Sequence, residues 1–364
     1  MTKKVFIIFT VLLFVDIFRY RDIIESLGVN VANLQCITFA LPWDPIRSFN
    51  NETLPTCPPS QVQTARTWVD YTKQVTADRD ISLRVQARLA WEEGNLGSAE
   101  RHLEQYIKTH SEEQIWALVL GNIYLLDNNV DRALLVWKSN KLVLPSFRIG
   151  HALLSRGEYK RALDAFDAAI VANPQQAVQA GAYSAKAGIT YYNLRDPYTA
   201  MNILEKAIEN DPLYDKSYAE LARIQRLENQ LTNALHIAEL GIQRNGKTYS
   251  LLVARGEVLV AIRKSDEAIS VLEEATRLSS QESEAWFWLG WAFRDKKLYE
   301  QAEQNFVRAI QQKKDNVSYY YFELGQLYEF WNRRDKAIQV YTIALSIDPS
   351  ARFIEERLKL LTNK

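Results

Sequence analysis

Cysteine is almost missing from this chain, which holds only Cys36 and Cys57 in 364 residues. Two cysteines cannot build a disulfide-stapled scaffold, and their spacing matches no zinc site. Histidine is scarce as well: His102, His110, His151 and His236 are the four present. None stands in a metal-ligand spacing such as H-E-x-x-H or beside an evident nucleophile, so we expect no metal, no cofactor and no catalysis. Net charge is lacking, because 44 Lys and Arg balance 44 Asp and Glu. A nucleic-acid-binding surface needs a basic excess, and this chain has none. Glycine and proline, at 13 and 10 copies, are sparse, and no Gly-rich phosphate loop occurs. That poverty, beside abundant Ala, Leu and Glu, suits an all-α fold.

What is present is repetition. Residues 283–349 contain two copies of one pattern, in which Leu289-Gly290 falls on Leu324-Gly325. In the same register Phe293 falls on Tyr328, Ala302 on Ala337, Phe306 on Tyr341 and Ala309 on Ala344. The small residue of the second helix recurs at Ala99, Ala133, Ala162, Ala200, Ala234, Ala268, Ala302 and Ala337, with gaps of 34, 29, 38, 34, 34, 34 and 35 residues. The short and long gaps are adjacent, so one hairpin is trimmed and the next lengthened without loss of phase. A partner small residue stands twelve positions ahead of each: Ala87, Gly121, Gly150, Gly188, Ala222, Gly256, Gly290 and Gly325. We expect these to sit where helices cross closely, and every glycine to serve either a crossing or a turn. Gly94, Asn128, Gly157, Asn229 and Asn332 lie between helices and tolerate a left-handed turn. Apolar residues three and four apart give each helix a stripe, which one hairpin alone cannot bury.

These residues resemble the tetratricopeptide repeat family. The fullest matches to its pattern are Trp286, Leu289, Gly290, Phe293, Ala302, Phe306 and Ala309, then Leu324, Gly325, Tyr328, Ala337, Tyr341, Ala344 and Pro349. The weakest unit covers 114–142, where no proline closes the second helix. The resemblance implies an all-α solenoid, a right-handed superhelix of about eight hairpins. Eight units are read at 80–113, 114–142, 143–180, 181–214, 215–248, 249–282, 283–317 and 318–350, with a capping helix at 351–364. Residues 61–79 read as a lone second helix, since Ala65 keeps the phase.

The N-terminus differs from the array. Residues 1–4 are basic, residues 5–15 are an unbroken apolar run, and residues 5–24 read as a membrane anchor or signal anchor. The run is shorter than the ~20 residues that cross a bilayer comfortably, which also fits a signal peptide. No convincing cleavage site follows, so an uncut single-pass anchor is preferred to secretion after cleavage. Residues 25–60 read as a Pro-rich linker. Cys36 and Cys57 flank its proline cluster and could bridge in an oxidising compartment, which favours an array outside the cytoplasm.

The family resemblance also places the first helix of each unit along a concave groove. Carried onto this chain, the inner positions are Arg84, Arg88, Leu118, Asn122, Phe147, His151, Ile189, Tyr192, Arg223, Arg226, Glu257, Phe287, Trp291, Arg294, Tyr319, Phe322, Gln326 and Phe330. From these, Phe147, Tyr192, Arg223, Arg226, Phe287, Trp291, Arg294, Tyr319, Phe322 and Phe330 are the candidate partner-binding residues. Trp291 and Phe322 are equally readable as packing between units. The Lys and Asn set with which some family members clamp chaperone tails is missing; Leu118 stands before Asn122 where that set requires Lys. The implied function is a membrane-tethered, non-catalytic scaffold for a protein or peptide partner. The alternatives are an accessory subunit of a membrane enzyme, such as one assembling envelope polysaccharide, and direct glycan binding by the C-terminal aromatic residues.

Overall fold

A computed structural model describes Gln63, Leu83, Gln86, Ala87, Ala90, Trp91 and residues 93–172, 176–313 and 317–362. The anchor at 5–24, the linker at 25–60, and Cys36 and Cys57 lie outside the described residues, as does 61–79 apart from Gln63. Sixteen helices and no strand make up the described residues.

The described residues fall into two compact units, divided between Ala182 and Tyr183. The first holds α1 (Leu96–Thr109), α2 (Gln114–Leu126), α3 (Val130–Ser139), α4 (Val143–Ser155) and α5 (Tyr159–Ala172). The division falls within α6 (Gln176–Gly188), which runs on into a π-helical turn, Ile189–Asn193. The second unit continues with α7 (Pro197–Asn210), α8 (Asp215–Leu227), α9 (Leu231–Asn245), α10 (Tyr249–Ala261), α11 (Ser265–Leu278) and α12 (Ser283–Asp295). It ends with α13 (Tyr299–Gln312), α14 (Ser318–Phe330), α15 (Arg334–Ile347) and α16 (Arg352–Thr362).

Within each unit, helices pair as hairpins and each hairpin packs on the one before: α10 meets α11, α9 and α8, and α12 meets α13, α11 and α10. The eight recurring alanines are all fully buried. Opposite them the glycines of the first helices meet the large side chain sixteen positions ahead, so Gly290 faces Phe306, Gly325 faces Tyr341 and Gly256 faces Leu272. A Cβ on Gly290 would lie 2.8 Å from the Phe306 ring, closer than real contacts allow. Gly188 and Gly97 depart from expectation, because nothing lies within 4 Å of a Cβ at either and neither turns the chain. The buried small residue near Gly188 is Ala187 instead.

Every turn within a described hairpin passes through the left-handed region. Gly94, Asn128, Gly157, Asn229 and Asn332 do so, and so do Arg195, Arg263 and Lys297, whose side chains gave no such signal. The next amide then closes the helix end, as Asn129 N donates to Tyr124 O at 2.7 Å and Arg333 N to Tyr328 O at 2.7 Å. After the π turn the bond reaches one residue further, from Asp196 N to Thr190 O. The uneven repeat spacing has the same origin. Helix α3 is only 10 residues long and ends in a left-handed turn at Lys141, without proline. Two units along, the one read at 181–214 starts with α6 at Gln176 and carries the extra π turn.

Helix α16 covers the last hairpin by burying Ile354, with Ala351 just before it, against Val340, Tyr341 and Ala344. Its outer face is not all charge, since Phe353 and Leu360 are exposed among Arg352, Glu355, Glu356 and Lys359.

Candidate functional site

The first helices of the second unit line one groove of about 590 Å³, a size that suits a specific ligand or peptide side chains. Its lining combines a charged floor from α8 and α10 with an aromatic wall from α12 and α14, and Tyr192 comes from the π turn.

The floor begins at Arg223 on α8. Its Nη1 donates to Glu220 Oε1 at 3.2 Å, and its Nη2 donates to Glu257 Oε1 at 3.1 Å and Glu284 Oε2 at 3.3 Å. Arg226, one turn later, approaches Glu257 Oε2 at 3.3 Å. Glu257 is 2% exposed and therefore lives on these two guanidiniums. The Glu257 carboxylate holds Arg223 charged well above the ordinary arginine value, against the opposing effect of burial. Burial raises the proton affinity of Glu220, with Glu257 and Glu284 adding to it.

Helix α12 builds the wall because Glu284, Phe287, Trp288, Trp291 and Asp295 recur at helical spacing on one face. Phe287 stacks on Tyr320 with centroids 4.4 Å apart, and Trp288 and Trp291 lie 6.2 Å apart. Arg226 sits over the Trp288 ring at 5.1 Å, while Arg294 lies over Trp291 at 3.6 Å and Phe330 at 5.1 Å. Burial lowers the Arg294 guanidinium below its usual range and raises Glu323, which faces it at 3.7 Å. Burial, with the Glu323 charge beside it, pushes the Tyr319 phenol up. The Trp291 Nε1 is buried without a hydrogen-bond partner. Among the described residues no group of three or more His, Cys, Asp or Glu is placed to hold a metal ion.

This stack of hairpins is what the known proteins share. Two family models, both described as tetratricopeptide repeat, match residues 84–137, 146–180 and 253–318, and residues 318–350. Together they take in just over half of the chain. The chain belongs to the tetratricopeptide repeat family. A search of curated proteins gave no match. Among solved structures, a tetratricopeptide repeat protein from Parabacteroides merdae is 12% identical, with a TM-score of 0.50 over 79% of this chain and 100% of its own. The APC/C hetero-tetramer Cut9–Hcn1 is 15% identical, with a TM-score of 0.52 over 87% of this chain and 62% of that one. A tetratricopeptide repeat protein from Thermus thermophilus is 19% identical, with a TM-score of 0.46 over 51% and 100%. The first two show likeness of fold alone.

Against that family frame, Tyr192, Arg223, Arg226, Phe287, Trp291 and Tyr319 line the groove together. Phe287 reaches it only by an edge, being 5% exposed and packed on Phe306 and Tyr320. Arg294 and Phe330 extend the wall past Trp291 as a cation–ring stack. Phe322 lies outside the lining, stacked beside Tyr319 and packed on Tyr341 and, edge to face, on Phe353 of α16. Phe147 belongs to the first unit, where it packs on His151 and Phe166. His151 keeps an exposed side chain, and burial of part of it beside these rings lowers its proton affinity.

Sequence reasoning missed Trp288, Tyr320, Glu284 and Asp295. One signal was available, since Arg223 and Glu257 occupy the same register position in consecutive units. Opposite charges one repeat apart on the inner face face each other across the hairpin boundary.

Proposed function

We propose that this chain is a non-catalytic scaffold that holds a protein partner, as an extended segment or a short helix, in the groove of its second unit. Tetratricopeptide repeat proteins in general are non-catalytic scaffolds that bind proteins or peptides. The observation that carries the reading is the groove itself. Facing helices of successive hairpins offer it a wall of Trp288, Trp291, Tyr319 and Tyr320 above a floor of paired charges. Aromatic anchors in a concave, partly dry site supply affinity, and the fixed charges select register. Two further parts of the proposal rest on the sequence. Residues 5–24 tether the chain to a membrane, with the array outside the cytoplasm or, if the segment is cut, secreted. A tether of that kind raises the effective concentration towards partners at the same membrane.

The test is capture by the full chain in detergent, with Trp288→Ala plus Tyr319→Ala as the groove variant. Both side chains are more accessible than Phe287, whose removal would leave a core cavity. A partner retained by the parent and lost by a folded variant supports the groove, and retention by both removes it. Quenching of tryptophan fluorescence by oligosaccharides, and by no peptide, would favour the glycan alternative. Protease protection of the array in intact membranes reads the side.

A further inference from the structure

The lining of this groove is balanced, with Arg223, Arg226 and Arg263 beside Glu257, Glu284 and Asp295. The ion-pair cluster on Arg223 nevertheless holds one more carboxylate than guanidinium, because Glu220, outside the lining, also binds Arg223. Arg223 and Arg226 stand against Glu220, Glu257 and Glu284. The third arginine of the lining, Arg263, has its own acid in Asp295 at 2.6 Å, and Arg294 beyond it has Glu323. Neither relieves the surplus. The excess charge is also poorly hydrated, with Glu257 buried and Glu220 already drawn towards protonation by burial and by its two acidic neighbours. Glu284 is the member left accessible. Its side chain is 44% exposed, and it meets Arg223 at 3.3 Å while Arg223 is shared with two other carboxylates.

Beside Glu284 the same face of α12 presents Phe287, Trp288 and Trp291, and α14 adds Tyr319 and Tyr320. Aromatic faces are negative and attract cations, the more so where water is thinned. The molecule already uses this wall in that way, through Arg226 over Trp288 and Arg294 over Trp291. An acidic segment would find every lining guanidinium engaged. A basic one would find Glu284, whose guanidinium is shared with two other carboxylates, beside the exposed Tyr319 and the half-buried Trp288 and Trp291.

From this geometry we infer that the groove selects a protein segment bearing an arginine or lysine, whose cationic head sits between Glu284 and the aromatic wall. The inference deepens the groove reading above and rests on it.

The experiment pans random peptides displayed on phage against the detergent-solubilised full chain, then measures synthetic copies of the enriched sequences by tryptophan fluorescence. Peptides enriched in Arg or Lys are expected, and replacing that residue by Gln should weaken binding about tenfold. Glu284→Gln should weaken the basic peptide about tenfold and abolish its advantage over the Gln copy. Its circular dichroism melt should match the parent, because Glu284 is surface-accessible. Enrichment of acidic or uncharged peptides, or an undiminished preference in Glu284→Gln, overturns the charge selection. If those peptides still lose binding in Trp288→Ala plus Tyr319→Ala, the groove reading stands without it. Basic peptides that bind that variant unchanged overturn both.

Discussion

Small residues at first-helix crossings act by what they leave out. Gly290→Ala would drive a methyl to 2.8 Å from the Phe306 ring, and the forced repacking should cost about 1–3 kcal/mol. Gly188→Ala meets open space in a helical backbone and should instead stabilise by about 0.5–1 kcal/mol. Urea unfolding of the two variants reads opposite signs if the π turn has moved Gly188 off the crossing, and like signs if it has not. Tyrosines set the alkaline limit. The Tyr191 hydroxyl, partly buried and donating to Glu228 at 2.8 Å, is pushed up to about 12. Tyr328 and Tyr341, bonded to Glu303 and Glu329, are raised as well, with burial the leading cause for all three. Because these folded-state values lie above the unfolded value of 10.0, their contribution is complete below pH 10 and lost as pH rises through the raised values. Melting temperatures across about pH 9–12 should fall, and fall less steeply in Tyr328→Phe plus Tyr341→Phe.

Elements show where a regular repeat bends its own rule. Spacing alone revealed a trimmed unit beside a lengthened one, but the device that absorbs the difference was hidden. It is a first helix of 13 residues that runs on into a five-residue π turn, where the other first helices stop at 13. The π turn is a local departure from α-helical bonding. Amides of 189–196 should therefore exchange faster than those of 221–227 in α8, as read by hydrogen-exchange mass spectrometry. Equal protection would mean the turn is as stable as ordinary helix. The capping helix was legible because its apolar positions continue the helical period past the last proline, at Pro349. What α16 covers was not legible, because nothing local tells that Phe353 lands on Phe322. Ile354 is fully buried beneath it, so Ile354→Ala should cost about 2–5 kcal/mol, measured by chemical denaturation.

At the scale of the whole molecule, the ion-pair floor joins successive hairpins. Glu257 on α10 binds Arg223 and Arg226 on α8, and Arg223 reaches Glu284 on α12. Removing it by Glu257→Ala leaves guanidiniums short of their buried partner, at a cost of about 3–5 kcal/mol. The loss should appear in fluorescence-detected unfolding as an earlier transition, reported by Trp286, Trp288 and Trp291 on the adjoining α12. An unshifted transition would show that hairpin packing alone couples these helices.

Sequence by itself determined that the chain is a run of helix hairpins, because each unit must repeat the same stripe to cover its neighbour, and periodicity records that need. With the inner positions that the family resemblance implies, it also named Tyr192, Arg223, Arg226, Glu257, Phe287, Trp291 and Tyr319 of the groove lining. Only the tertiary structure decided which inner residues stay available. Tyr320 stacks on Phe287 and draws it into the core, Phe353 of α16 sets its ring edge to face with the half-buried Phe322, and three carboxylates converge on Arg223. Direction is a property of one helix, whereas exposure and charge balance depend on what the next helix brings against it.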